Sequence, residues 1–97
     1  MKAYELLFFM NPSLDEETRI ATLKRVDTAI TGNGGTIDNV EDWGKRRLAY
    51  EIDKLTEGNY TLINFHMDPA AIAETDRILR ITAPIVRFMI VRRDDQE

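Results

Sequence analysis

The sequence predicts an α+β domain in which a four-stranded antiparallel sheet carries two helices on one face, and three observations lead there. Four segments rich in strand formers are interleaved with two segments of helical period. Each boundary carries turn or capping residues. The chain has 97 residues, the size of one domain, with no linker long or polar enough to divide it.

Residues 2–10 form the first strand, ended by Asn11-Pro12 because proline cannot donate to a ladder. Ser13 and Glu16 fit a capping box, and Asp15 and Glu17 suit the positive end of a helix dipole, so a helix starts here. Ile20, Leu23, Val26 and Ile30 give it one apolar stripe, until Gly32-Asn33-Gly34-Gly35 supplies a cap. Thr36 to Ile52 is a long bent strand, in which Leu48, Tyr50 and Ile52 alternate and Trp43-Gly44 marks a bulge. The turn-rich stretch 53–58 then leads into a third strand, Asn59 to Met67, making a hairpin. Asp68 and Pro69 open a second helix, with Ile72, Thr75 and Ile78 or Leu79 inward, and Pro84 stops it. Residues 85–93 are the last strand, so the domain is expected to span 1–93, with 94–97 a short acidic C-terminal tail.

This βαββαβ order is the split βαβ pattern of ferredoxin-like sandwiches. Right-handed crossovers put both helices on one sheet face, which leaves the other to meet water or a partner. Strand alternation sorts the side chains. Tyr4, Leu6, Phe8, Met10, Ile63, Phe65, Met67, Phe88 and Ile90 are expected in the core. Leu7, Phe9, Leu62, Met89 and Val91 are expected on the open face, rimmed by Arg87 and Arg93, an apolar patch of the kind that marks an interface.

Composition narrows the function. An apolar fraction of 43% with 31% charged residues suits a folded globular chain. The absence of cysteine excludes disulfides, thiolate nucleophiles and cysteine zinc sites. The first apolar run is too short for a membrane helix, and Glu5 with no cleavage site argues against a signal peptide. A net charge of −4 argues against a uniformly basic RNA-binding surface, so any phosphate contact must be local. The basic residues cluster as Lys45-Arg46-Arg47 and as Arg87, Arg92 and Arg93, with Lys2 on a neighbouring strand. His66 is the only histidine and Ser13 the only serine, neither in a nucleophile or metal motif, and the glycine run follows a helix where phosphate loops precede one. No catalytic residue, metal or cofactor is expected. The central strands also lack the aromatic signature of an RNA recognition motif, which argues against base stacking on this sheet.

One stretch is more specific. Val40-Glu41-Asp42-Trp43-Gly44-Lys45-Arg46-Arg47-Leu48-Ala49-Tyr50-Glu51-Ile52 resembles the signature of the bacterial small-subunit ribosomal protein six family. Tyr4-Glu5, Asn11-Pro12-Ser13-Leu14, Gly58-Asn59-Tyr60, Leu79-Arg80-Ile81 and residues 86–91 also fall where that family has similar segments. The resemblance implies a structural component of the cytoplasmic ribosome. It also implies binding of the central domain of small-subunit ribosomal RNA together with small-subunit ribosomal protein eighteen, the chain being a monomer before assembly and not an enzyme. Carried onto this sequence, it assigns RNA phosphates to Lys2, Lys45, Arg46, Arg47, Arg87, Arg92 and Arg93, and the protein partner to Leu7, Phe9, Leu62, Met89 and Val91. A basic partner would supply much of the phosphate neutralisation that an acidic chain lacks. The competing class is a regulatory or ligand-binding module that dimerises through the open sheet face.

Overall fold

The computed structural model describes residues 1–52 and 54–93; the side chains of Ala49, Tyr50 and Ile52 lie outside the description, as does the expected tail 94–97. The elements are β1 (Lys2–Met10), α1 (Glu16–Thr31), β2 (Thr36–Ile52), β3 (Leu55–Met67), a 3-10 turn (Pro69–Ala71) running into α2 (Ile72–Arg80), and β4 (Ile85–Arg92). The sheet runs β2-β3-β1-β4 with every neighbour antiparallel. The expected ferredoxin-like α+β fold is therefore present.

The helices and sheet share one core. Tyr4, Leu6, Phe8 and Met10 of β1 and Ile63, Phe65 and Met67 of β3 pack with Val26 and Ile30 of α1 and Leu79 of α2, while Phe88 and Ile90 of β4 press against the same cluster. Side-chain alternation thus assigned the two faces of β1, β3 and β4 correctly. Thr75 of α2 is fully buried, and its hydroxyl faces the carbonyls of Ala71 (3.2 Å) and Ala29 (3.4 Å) and the sulfur of Met67 (3.3 Å), joining both helices to the sheet. Arg25 Nε donates to Thr82 Oγ1 (3.1 Å), tying α1 to the loop before β4.

Three boundaries and one inward position differ from expectation, each for a local reason. The cap of α1 is Asp15, whose carboxylate accepts from the Thr18 N–H (2.8 Å). Ser13 instead gives both its N–H and its hydroxyl to Asn11 Oδ1, so it belongs to the preceding turn, and Glu16 pairs with Arg19. Ile20 is exposed rather than inward, because it lies about 120° around the helix from the stripe of Thr22, Val26, Ala29 and Ile30. α2 stops at Arg80, before Pro84, since Thr82 turns its hydroxyl onto the Ile78 carbonyl (2.7 Å) and takes over the end of the helix. Finally, β3 begins at Leu55 and not Asn59: Ile52 pairs with Leu55, so most of the expected connection is strand. Among the described residues no helix is long and apolar enough to cross a membrane.

Candidate functional site

The face without helices can be reconstructed row by row from the strand register. Reading from β4 through β1 and β3 to β2, one row is Val91, Glu5, Asn64, Asn39 and the next is Met89, Leu7, Leu62, Glu41. A third is Arg87, Phe9, Tyr60, Gly44. All five residues assigned to a protein partner lie on this face. They are not equally available: Met89 is 55% exposed, Val91 37% and Leu7 partly, but Phe9 and Leu62 are buried at 5% and 8%.

Neighbours on the open face itself do the burying. The Phe9 ring lies 5.2 Å from that of Tyr60, and Gly58 passes so close that a Cβ there would stand 2.6 Å from the Phe9 ring. Tyr60 in turn lies 6.4 Å from Trp43. The face therefore has an aromatic ladder at its β2–β3 side and an exposed aliphatic patch at its β4 side. At the Ala3 end it turns polar. There Glu5 pairs with Arg93, His66 Nδ1 meets Asp38 Oδ2 (2.6 Å), and Asn64 donates to Asn39 (2.9 Å). With Glu41 these groups line a shallow cavity of about 360 Å³.

β2 reaches this arrangement through irregularity. Its pairing with β3 shifts at Ile37/Asn39 and at Asp42/Gly44, so the edge strand bends and changes which residues face out. Gly44 takes φ 70°, a left-handed conformation that glycine adopts without penalty, and its N–H is held by Asp42 Oδ1 (2.9 Å). Asp42 faces α1, where Arg19 lies 3.7 Å away. Trp43, the extra residue, falls on the open side and donates its indole N–H to Glu41 (3.2 Å).

The seven basic residues separate into two groups. Arg87 shares a row with Gly44 but stands at the β4 edge, three strand spacings or about 14 Å across the sheet from Lys45-Arg46-Arg47, whereas Lys2, Arg92 and Arg93 sit beside Met67, Tyr4 and Ala3 at the far end. The six-residue step from Ala3 to Phe9 sets these two ends about 20 Å apart. Lys45, Arg46, Arg47 and Arg87 are exposed, while Lys2 and Arg93 are half-buried. The exposed basic side chains and the apolar strip can bind phosphates and a protein, and the acid–base contact on this face, His66 with Asp38, has no serine, threonine or lysine among the described residues lining its cavity. Among the described residues no group of three or more histidines or carboxylates is placed to hold a metal ion. Sequence reading missed Trp43, Asp38 and Glu41 as face residues, since their sides depend on the register of β2, and also Tyr60, which alternation along β3 from Leu62 would have found.

Comparison with known proteins agrees with this geometry. The family described as Ribosomal protein S6 matches residues 3–92. The Small ribosomal subunit protein bS6 of Clostridium beijerinckii is 50% identical over 91 residues, covering 94% of this chain and 96% of that protein. Its namesake in Clostridium botulinum strain Loch Maree is 47% identical over 94 residues, covering 97% and 100%. Among solved structures, the 30S ribosomal protein S6 from Thermotoga maritima superposes with a TM-score of 0.92 at 38% identity, over 98% of this chain and 90% of that one. The C-terminal domain of the MgtC protein from Mycobacterium tuberculosis, with a TM-score of 0.63 at 7% identity, shares the fold alone.

Proposed function

The chain belongs to the ribosomal protein S6 family, and from that premise we propose that it binds the central domain of small-subunit ribosomal RNA jointly with small-subunit protein eighteen. As a member of the family it is a structural, non-enzymatic component of the small ribosomal subunit. The protein partner sits on the open sheet face, on Met89, Val91 and Leu7, with Phe9 and Leu62 beneath as support. The RNA lies along the basic ends, Lys45, Arg46, Arg47 and Arg87 at one and Lys2, Arg92 and Arg93 at the other.

The observation that carries this reading is the pairing of an exposed aliphatic patch with acidic groups on one uncovered face. Met89 and Val91 are large apolar residues left in water; Glu5 neighbours Val91 on the next strand, and Asp38 and Glu41 stand across the same face on β2. That combination suits a basic protein better than a nucleic acid, because phosphates would meet carboxylates there. Such a partner brings the positive charge that a chain of net charge −4 lacks.

The test is joint binding. The purified chain and protein eighteen together are expected to bind central-domain RNA with an affinity that falls as salt rises, and Met89→Glu to weaken the protein pair about 10-fold or more while the fold persists. An absence of joint RNA binding overturns the proposal. Unchanged affinity of the pair with both Met89→Glu and Val91→Glu overturns the assignment of the face.

A further inference from the structure

The Phe9–Tyr60–Trp43 ladder ends in an aromatic ring that the fold itself does not use. Trp43 is 39% exposed, although tryptophan carries more apolar surface than any other residue and is usually well buried. Its orientation is nonetheless set. The ring leans on Tyr60 at an interplanar angle of 37°, Tyr60 leans on the buried Phe9, and the indole N–H is occupied by Glu41. A ring already ordered in the free protein gives up little freedom on binding. Beside it opens a cleft of about 600 Å³ lined by Trp43, Tyr60, Arg46 and Arg47, within the size range of small-ligand sites.

We infer that this cleft takes an unpaired nucleotide of the RNA, its base stacked on Trp43 and its phosphate held by Arg46 or Arg47. This rests on the ribosomal reading above and adds a base contact to what was otherwise backbone binding. A flat aromatic face next to guanidinium groups matches the two halves of a nucleotide: the base has a π-face and the phosphate accepts paired N–H donors. The nearby acids do not cancel the site. Glu41 is engaged by the indole and Asp42 is turned to Arg19 on the helix side. Arg46 lies opposite Gly58 and Arg47 opposite Glu57, both on the exposed hairpin and neither held in an ion pair among the described residues. Two arginines lining one cleft favour an anionic occupant over an apolar protein side chain. The site departs from the expectation from sequence that bases do not stack on this sheet: that expectation weighed the two central strands, whereas Trp43 lies on the edge strand, where the irregular pairing at Asp42/Gly44 leaves it on the open side.

Trp43 is the sole tryptophan of the chain, so its fluorescence reports on this cleft alone. With protein eighteen present, and the Trp43→Phe chain as blank, adding central-domain RNA is expected to quench it. Trp43→Ala should weaken RNA binding about 10- to 100-fold with its salt dependence unchanged, because stacking releases no counterions. Trp43→Phe should retain most of the affinity, whereas Arg46→Ala should weaken binding and lower the salt slope by about one. RNA affinity unaffected by Trp43→Ala overturns the site, as does quenching by protein eighteen alone with none on adding RNA. If the wild-type pair binds no RNA, the ribosomal reading falls and this site falls with it, a result told apart because it appears before any substitution.

Discussion

At the scale of single residues, Gly58 and Asp15 show how much depends on one atom or one proton. Gly58 lies over the Phe9 ring, which is itself buried and braced by Tyr60, so an added methyl group cannot be accommodated by a side-chain swing. Gly58→Ala is expected to cost about 1–3 kcal/mol, the usual penalty of overpacking, read as a lower urea midpoint at unchanged slope. Asp15 titrates below the ordinary aspartate value because its carboxylate accepts hydrogen bonds from Thr18. A depressed folded pKa means that the folded chain holds this proton less tightly than the unfolded one. The cap therefore stabilises the fold above the unfolded pKa and loses that contribution as pH falls through the folded one. Asp15→Ala should lower the melting temperature at pH 7, and the difference from wild type should shrink below about pH 4. A difference that is constant down to pH 2 would show that the carboxylate is not the source.

Elements succeed or fail by what they are packed against. α2 has nine residues, too few to be helical alone, and its hold on the core comes from Leu79 and Thr75, at 1% and 0% exposure. Leu79→Ala should cost about 2–5 kcal/mol in denaturant unfolding, and amide exchange in α2 should accelerate more than in β1. The β2–β3 hairpin reverses where Ile52 pairs with Leu55, and Lys54 takes φ 66° there. A non-glycine residue in that conformation costs about 1–2 kcal/mol, so Lys54→Gly is expected to be neutral or slightly stabilising despite its greater freedom when unfolded. A clear loss of stability would mean that the lysine stem makes contacts that outweigh its backbone strain.

For the whole molecule the governing feature is a sheet with two unlike faces. One is sealed by helices, and the other presents an apolar patch, a polar end where Glu5 pairs with Arg93 and Asp38 with His66, and exposed basic residues at Lys45-Arg46-Arg47. If the exposed patch serves a different protein, the chain alone should sediment as a monomer, and a tight homodimer would favour the competing regulatory-module reading instead. Phe9→Glu is not a clean probe of the interface, because Phe9 at 5% exposure supports the ladder and the substitution should unfold the chain. Met89→Glu and Val91→Glu keep folding and binding apart. The separation of the basic groups by about 20 Å carries its own expectation. Neutralising either end should lower the salt slope of RNA binding in part, and neutralising both should lower it by the sum, since distant sites act independently.

Local chemistry and periodicity were enough to read the order of elements, the one-sided helices, and the faces of β1, β3 and β4. Each of those is set by alternation or by residues adjacent in the chain: Leu6 and Leu7 must point to opposite sides wherever the strand goes. The family resemblance was legible too, because it resides in a contiguous stretch ending in Leu48-Ala49-Tyr50-Glu51-Ile52. What tertiary structure alone decided was exposure on the open face and the use of β2. Phe9 and Met89 are both strand residues on one face, yet Gly58 and Tyr60 cover the first and nothing described covers the second. The sequence placed a bulge at Trp43-Gly44, and the shift at Asp42/Gly44 bears it out, but which side of the sheet Trp43 takes there follows only from the register with β3. Burial on a sheet face is set by residues distant in sequence, through a register that one bulge can alter, so no local pattern contains it.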